Sequence, residues 1–315
     1  MKNTLLTLIA SATLLQAAAP EEISRIYVVN RDGSNLRLVA DETALPEHTF
    51  LGSPAWSPDG DWIVFDTTRN YKWSSTHVVK VAVNGPDKGK LVDLGVGLGG
   101  HYSPDGNRMA FFINGKNPMN VQAGLWVMNS DGTDRKRLAW GLNPQWSPDG
   151  RRLLCVGSHK SPRQVFAFDL EPFKRHALLT NEVALGLPAW APDGKRFVMT
   201  VKEGEDRVMA IFTPEEKTTR RVELWREKWH KGYEETWPDW SPDGKRIVFT
   251  RYTRNTCNEV EILIIAAEAG AHPVKLDIAP PCTCIRDCQW SPDGSQIAFA
   301  AMGPQMLRVT EKSAN

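Results

Sequence analysis

The pentapeptide Trp56-Ser57-Pro58-Asp59-Gly60 returns five more times along this chain of 315 residues. An aromatic residue opens all six copies, Pro, Asp and Gly close them, and Ser stands second in five. The copies are Trp56–Gly60, Tyr102–Gly106, Trp146–Gly150, Trp190–Gly194, Trp240–Gly244 and Trp290–Gly294. Their aspartates, Asp59, Asp105, Asp149, Asp193, Asp243 and Asp293, follow one another at steps of 46, 44, 44, 50 and 50 residues. A period in this range predicts a repeat architecture.

The pentapeptide is typical of a tight turn, since Pro fixes φ, Asp caps the turn through its side chain, and Gly accepts a positive φ. A short apolar run follows each copy, such as Trp62–Phe65 and Ile297–Phe299. Such runs, bounded by turn residues, are typical of buried strands. The motif therefore predicts a hairpin turn between two inner strands. Its aromatic ring is predicted to fill the gap between neighbouring sheets, a structural role that a repeated unit can use six times.

A second hairpin pattern lies between the copies of the motif. Ile26–Asn30 is followed by Asp32-Gly33, and Leu125–Asn129 by Asp131-Gly132. Asp-Gly between apolar runs is a strong hairpin signal. Weaker versions occur in the other repeats, so each repeat supplies two hairpins and thus one four-stranded antiparallel sheet. The sequence predicts an all-β fold, a six-bladed β-propeller.

The order of the hairpins predicts how the ring closes. The chain opens with an outer-type hairpin and ends with an inner pair of strands that has no outer hairpin after it. Joined, the two pieces complete the sixth blade and protect strand edges that would otherwise be exposed. We expect a single propeller domain over residues 22–301, followed by a tail over 302–315.

The six aromatic-Ser-Pro-Asp-Gly copies resemble the TolB-like propellers, whose WD40-like (PD40) repeats carry this signature. The resemblance covers roughly residues 26–301. It implies a protein-binding propeller of the cell envelope. TolB itself has an α/β domain ahead of its propeller, whereas here the first predicted strand begins within a few residues of the leader. The resemblance therefore indicates a propeller-only relative.

Residues 1–19 are predicted to be a signal peptide. Lys2 supplies a positive charge, Leu5–Leu15 form an apolar stretch, and Ala17–Ala19 offer small residues for cleavage. An uncleaved anchor is the alternative, although the apolar stretch is short for a membrane span. After removal of the leader we expect no membrane span and a periplasmic or secreted protein.

The numbers of positive and negative residues limit the classes of partner that the protein is expected to bind. The chain contains 38 Lys and Arg against 37 Asp and Glu, a net charge of +1. Such a balance gives no reason to expect nucleic acid as a partner. We expect a monomer without a cofactor.

The positions of the five cysteines in the sequence predict one buried free thiol and a separate group of four cysteines. Cys155 falls in an inner strand, as a buried free thiol would. The four others are predicted to lie in neighbouring loops on one face, where an oxidising compartment favours two disulfides: Cys257, Cys282, Cys284 and Cys288. The pairing stays open, except that Cys257 must bond to one of the other three. A zinc site is the alternative, but the Cys-x-Cys spacing is unlike that of zinc ribbons.

Function in a propeller usually belongs to the face that carries the loops entering each blade and those joining its second and third strands. These loops are rich in aromatic and charged residues, the usual anchors of protein interfaces. The candidate partner-binding residues are Arg69, Tyr71, Trp73, His101, His159, Arg163, His230, Glu234, Glu235, Trp237, Arg251, Tyr252 and Arg286.

Two classes of function follow from this face. The first is a non-catalytic interaction propeller that binds an envelope or secreted protein or peptide. The second is a propeller lyase or hydrolase, or a binding protein, that acts on polysaccharide. In that second class His48, His101, His159 or His230 would meet carboxylates at the channel mouth. No catalytic nucleophile and no paired metal ligands stand out, and the sequence favours binding.

Overall fold

The computed structural model describes residues 24–41, 48–69, 72–115, 117, 120–157, 164–179, 183–214, 219–228, 237–253 and 256–302. Throughout these ranges the chain forms strands, turns and bends and contains no helix. Within the same ranges there is accordingly no helix long and apolar enough to cross a membrane. The predicted leader and the tail from residue 303 lie outside this part of the chain.

The described ranges contain twenty-five strands. In the first half they are β1 (Ser24–Asn30), β2 (Arg37–Ala40), β3 (His48–Trp56), β4 (Trp62–Arg69), β5 (Lys72–Ala82), β6 (Leu91–Val96), β7 (Leu98–Tyr102), β8 (Arg108–Ile113), β9 (Gly124–Asn129), β10 (Lys136–Ala139), β11 (Leu142–Trp146) and β12 (Arg152–Val156). In the second half they are β13 (Val165–Leu170), β14 (Phe173–Leu179), β15 (Val183–Ala184), β16 (Ala189–Trp190), β17 (Phe197–Glu203), β18 (Asp206–Pro214), β19 (Thr219–Lys228), β20 (Asp239–Trp240), β21 (Arg246–Thr253), β22 (Thr256–Ala266), β23 (Val274–Lys275), β24 (Thr283–Trp290) and β25 (Gln296–Met302).

Short antiparallel sheets succeed one another in chain order, as in a β-propeller. Strands β7–β10, β11–β14 and β20–β23 form four-stranded sheets, and β15–β19 form a five-stranded sheet in which β15 and β16 both pair with β17. The remaining strands form one eight-stranded sheet. Among the described strands, hydrogen bonding thus gives five sheets where the sequence predicts six.

The eight-stranded sheet arises from one contact. The groups β24-β25-β1-β2 and β3-β4-β5-β6 are each antiparallel, and a single parallel pair, Ser24 with Phe50, joins them. The Ser24 hydroxyl also donates to the Leu51 carbonyl at 2.7 Å. Two four-stranded groups therefore merge where β1 and β3 approach at one end.

The first and the last of the described strands pair, as the order of the hairpins along the sequence predicts. Strand β1 runs antiparallel to β25, with Ser24 opposite Met302 and Asn30 opposite Gln296. Tyr27 stacks on Phe299 at 5.8 Å between ring centroids. The N-terminal hairpin and the C-terminal inner strands therefore share one sheet.

The pentapeptide forms the predicted turn between inner strands. In the copy at residues 146–150, the Ser147 hydroxyl donates to Asp149 Oδ1 at 2.5 Å and accepts the Arg152 amide at 2.9 Å. The Gly150 amide donates to the Ser147 carbonyl at 2.8 Å, with Gly150 at φ 68°. The serine hydroxyl thus connects the aspartate inside the turn to the backbone of the strand that follows it. In the fourth copy Ala191 replaces the serine, so the two hydroxyl bonds are absent, and Asp193 Oδ1 accepts the amides of Lys195 at 2.8 Å and Arg196 at 3.2 Å.

The motif aromatic packs between sheets, as predicted. Trp190 lies in one apolar cluster with Leu154 from the preceding sheet and Phe197 from its own. An arginine three residues after the motif aspartate covers the tryptophan of the next copy. The pairs are Arg108 with Trp146, Arg152 with Trp190, Arg196 with Trp240 and Arg246 with Trp290, at 4.9, 4.8, 5.5 and 5.5 Å from Cζ to the ring centroid. Cation–π contacts therefore link successive sheets.

The natural alanine in the fourth copy predicts opposite effects of two substitutions. We expect Ala191→Ser to raise the free energy of unfolding by about 0.5–1.5 kcal/mol, because the new hydroxyl finds the Asp193 acceptor in place and can take over the Arg196 amide from its 3.2 Å bond to Asp193. We expect Ser147→Ala to lower it by a similar amount, because that copy loses the same two bonds. Urea unfolding of the two variants and the wild type measures both changes. A destabilised Ala191→Ser variant would contradict the role given to the motif serine.

Candidate functional site

Six equivalent residues meet at the centre of the fold. They stand three positions before the motif aromatic in each repeat: Ser53, Gly99, Asn143, Leu187, Trp237 and Asp287. All six line one small cavity of about 40 Å³. Five of them, all but Leu187, also line an adjoining cavity of about 360 Å³. Because each residue comes from a different repeat, these cavities mark the axis around which the sheets are arranged. We call the larger one the axial cavity.

Bulges in the inner strands place four of these residues. The strand pairing shifts register between Gly52 and Ala55, and at the equivalent places in β7, β11 and β24. The residues at the shifts have left-handed backbones, with φ of 48° at Ser53, 57° at Gly99, 49° at Asn143 and 55° at Asp287. Gly, Asn and Asp adopt this conformation more readily than other residues, whereas Ser53 adopts it at a cost. A bulge re-aims side chains and frees backbone amides from the ladder.

The axial cavity has apolar walls with a few polar groups. Its apolar lining comes from Phe50, Leu98, Phe112 and Trp237. Its polar lining comes from Ser53, Asp66, Asn114, Asn143, Arg286 and Asp287. The Arg286 guanidinium lies 5.1 Å from the centroid of the Phe50 ring. A concave, largely apolar site with a few converging polar groups is typical of ligand binding.

Three carboxylates tie neighbouring strand groups together, and two of them, Asp66 and Asp287, are buried and line this cavity. Asp287 Oδ2 accepts the Ser53 amide at 2.9 Å, which links β24 to β3. Asp66 Oδ2 accepts the Gly99 amide at 3.0 Å, which links β4 to β7. Asp239 Oδ2 accepts the Trp290 amide at 2.8 Å, which links β20 to β24. Two of these amides, those of Ser53 and Gly99, belong to bulge residues, so the carboxylates satisfy donors that the bulges release.

Burial changes the acidity of these groups. It raises the pKa of Asp66 to about 6, against the opposing effect of the bonds from Gly99 and Ser53. It raises the pKa of Asp287 to about 7, and the nearby Asp66 charge adds to the rise. It also raises the pKa of Asp239 to about 7. Burial lowers the pKa of His101 to about 4, so this imidazole is neutral at neutral pH.

Three of the predicted binding residues lie at these cavities. Trp237 lines both, Arg286 lines the axial cavity, and His101 lines the smaller one. Arg251 does not line either cavity; it is half-buried and forms ion pairs with Glu261 and, at 3.4 Å, with Glu227.

The other predicted binding residues stay predictions. Tyr71, His159, Arg163, His230, Glu234 and Glu235 lie outside the described residues, as do the side chains of Arg69, Trp73 and Tyr252. The side chain of His48, a candidate of the polysaccharide alternative, lies outside them too. In the ranges that are described, no group of three or more His, Cys, Asp and Glu could hold a metal ion.

The prediction of two disulfides is wrong. Cys284 is disulfide-bonded, but Cys282 and Cys288 carry free thiols, and the Cys257 side chain lies outside the described residues. Cys288 is buried and lines the smaller cavity, where burial and the charges of Asp287 and Asp239 raise its thiol pKa. Burial also raises the pKa of Cys282, to about 11. Cys155 is the buried free thiol that its strand position predicts.

Sequence reasoning missed four residues. Asp66, Asp239 and Asp287 were not candidates, although Asp287 occupies the position three residues before the motif and Asp66 directly ends an apolar run. Trp140 was missed as well. It is 53% exposed just ahead of β11, on the face where chains enter the inner strands, and its Nε1 donates to the Gly157 carbonyl at 2.9 Å.

The raised pKa values predict how stability depends on pH. A carboxyl whose pKa is higher in the folded state than in the unfolded state favours folding at low pH, and this contribution is lost as pH rises through about 7. The amide oxygens of Asp287→Asn and Asp239→Asn can still accept the same bonds. We therefore expect the free energy of unfolding of each variant, taken as the difference from wild type, to increase by more than about 1 kcal/mol from pH 5 to pH 8.

The matched control is Asp87→Asn, since Asp87 is exposed. Urea unfolding at several pH values measures the free energy of unfolding of each variant and of wild type. His101 contributes to stability with the opposite pH dependence, but it is present in all of these proteins, so its contribution cancels in the difference. If the difference between Asp287→Asn and wild type stayed constant from pH 5 to pH 8, the raised pKa of Asp287 would be refuted.

Comparison with known proteins places the chain among β-propellers. The TolB β-propeller domain family (PD40) matches residues 107–314. The Tol-Pal system protein TolB of Anaeromyxobacter dehalogenans strain 2CP-C is 32% identical over 114 residues, which cover 34% of this chain and 22% of that protein.

Solved structures agree on the fold. A structure from Agrobacterium tumefaciens assigned as TolB has a TM-score of 0.67 at 20% identity and covers 90% of this chain and 99% of its own. TolB from Acinetobacter baumannii has a TM-score of 0.55 at 16% identity, over 90% of this chain and 65% of that one. At such identities the likeness concerns the fold alone. Since the family match spans more than half of the sequence, the chain belongs to the PD40 TolB β-propeller domain family.

Proposed function

We propose that this protein is an exported, six-bladed interaction propeller of the cell envelope, which binds a protein or peptide on its loop-rich face and catalyses no reaction itself. Six motif copies and six equivalent residues at one cavity support the blade count. The eight-stranded sheet agrees with this count if the single parallel pair, Ser24 with Phe50, is taken as the boundary between two blades.

The envelope location rests on two separate observations. The predicted signal peptide over residues 1–19 favours export. The relative from Anaeromyxobacter dehalogenans is named as a Tol-Pal system protein. Because only 22% of that relative is matched, its role is extended to this chain as a proposal.

The observation that carries the binding role is the placement of aromatic and arginine side chains around one opening. Trp237, Phe50 and Arg286 line the axial cavity, and Trp140 is exposed on the same face. Large aromatic side chains and arginines dominate the energy of protein interfaces. The opposite face carries the repeated motif turns, which differ little from one repeat to the next.

A pull-down from the native envelope tests the binding role. The immobilised protein is expected to retain a defined partner, and Trp140→Ala and Trp237→Ala are each expected to weaken its binding by roughly 10-fold or more, measured afterwards with the purified partner. Phe173→Ala is the matched control, since Phe173 is 48% exposed at the β13–β14 turn on the opposite face. Equal binding by all three variants would refute the proposed face.

One feature favours the alternative, a polysaccharide enzyme. Asp66 and Asp287 share an apolar cavity, and a carboxyl with a pKa near 7 is suited to act as a general acid. Release of reducing or unsaturated sugar ends from plant and bacterial polysaccharides, lost in Asp287→Asn, would establish the enzyme in place of the interaction propeller. Metal analysis of the purified protein and of a His101 variant tests the metal-dependent form.

A further inference from the structure

Among the residues that line the axial cavity are several with polar groups that have no partner in the described part of the chain. Trp237 Nε1 is buried and has no hydrogen-bond partner among the described residues. Within the same set of residues, the Arg286 guanidinium has a cation–π contact but no hydrogen bond or ion pair, and the Asn143 amide is unpaired. A buried donor without a partner costs free energy that a bound ligand can recover.

Asp287 adds an acceptor to this set. Its side chain is buried, with 8% of the residue exposed, and its bonds to the Ser53 amide and hydroxyl both use Oδ2. Oδ1 is left without a partner among the described residues. The cavity thus holds a cationic donor from Arg286, neutral donors from Trp237 and Asn143, and an anionic acceptor from Asp287.

The charges limit the class of ligand. A simple anion would pair with Arg286 but would face the carboxylates of Asp66 and Asp287. A simple cation would pair with Asp287 but would face the guanidinium of Arg286. In an apolar cavity such unmatched charges are costly, since the effective dielectric constant is low. A ligand that carries both charges close together matches Arg286 and Asp287 at once, while Asp66 keeps its bond from the Gly99 amide.

The size and the walls of the cavity define the rest of the ligand. About 360 Å³ lies at the small end of ligand sites, so a compact molecule is favoured. Phe50, Leu98 and Phe112 offer an apolar wall for a hydrocarbon group.

We propose that the axial cavity is a binding site for a free α-amino acid with an apolar side chain. Arg286, Trp237 Nε1 and Asn143 donate to its carboxylate, Asp287 Oδ1 accepts from its ammonium group, and the side chain packs on Phe50, Leu98 and Phe112. This small-molecule site does not depend on the proposed protein partner, because each has its own binding measurement.

Calorimetric titration of the purified full chain with three related compounds tests the proposal. L-Leucine is expected to bind. 3-Methylbutylamine, which lacks the carboxylate, and 4-methylpentanoate, which lacks the ammonium group, are each expected to bind roughly 10- to 100-fold more weakly, since each loses charge-assisted hydrogen bonds.

Substitutions assign the two charges to their residues. Arg286→Gln should weaken L-leucine and 4-methylpentanoate by roughly 10-fold or more but should leave 3-methylbutylamine as tight or tighter, because the variant removes a guanidinium that repels this cation. Asp287→Asn should weaken L-leucine and the amine by roughly 10-fold or more but should leave 4-methylpentanoate as tight or tighter, because the variant removes a carboxylate that repels this anion. Arg175→Gln is the matched control, because Arg175 also covers a phenylalanine, Phe166, at 3.9 Å but lies outside the cavity. Melting curves of all variants confirm that they fold.

Each other outcome overturns the proposal. No binding of L-leucine at millimolar concentration would mean that the cavity does not take apolar amino acids. Equal or tighter binding of the amine would define a cation site, and equal or tighter binding of 4-methylpentanoate an anion site. L-Leucine binding that survives both Arg286→Gln and Asp287→Asn would place the ligand elsewhere.

Discussion

The pairing of β1 with β25 is the interaction on which the arrangement depends. It joins residues from the two ends of the described chain, Ser24–Asn30 and Gln296–Met302, in one antiparallel ladder. Without it the inner strand β25 would present an unpaired edge. Residues from the first and last repeats, such as Ser53 and Asp287, could then not face a common cavity. The centre of the molecule is therefore a product of long-range closure.

Closure brings polar backbone groups beside the buried side chains of Asp66 and Asp287. Bulges in the inner strands free amides from the ladder, and the amides of Ser53 and Gly99 find carboxylates from the neighbouring strand group. A buried amide without a partner would be costly, so these carboxylates contribute to structure. Their burial also raises the pKa values of Asp66 and Asp287 to about 6 and 7. The groups that hold the centre together are thereby the ones best placed to respond to a ligand.

The sequence predicted the face of the candidate site better than its chemistry. Trp237, Arg286 and His101 were chosen as loop residues with the right side chains, and all three line the cavities. Asp66 and Asp239 were not predicted as site residues, because a single aspartate beside an apolar run is typical of the polar end of a strand. The prediction of a second disulfide was wrong for a related reason. Sequence spacing places the cysteines in one region, but the direction of each side chain depends on the bulge next to it. Cys288 lies at the smaller cavity.

By itself the sequence determined the turns, the inner strands and the pairing of the chain ends. These depend on local conformational preferences and on the order of the pieces, and both can be read from neighbouring residues. Only the tertiary structure decided which side chains meet at the axis, which hydrogen bonds they keep and how their pKa values shift. These properties depend on burial and on contacts between residues as distant as Ser53 and Asp287. No local pattern encodes them.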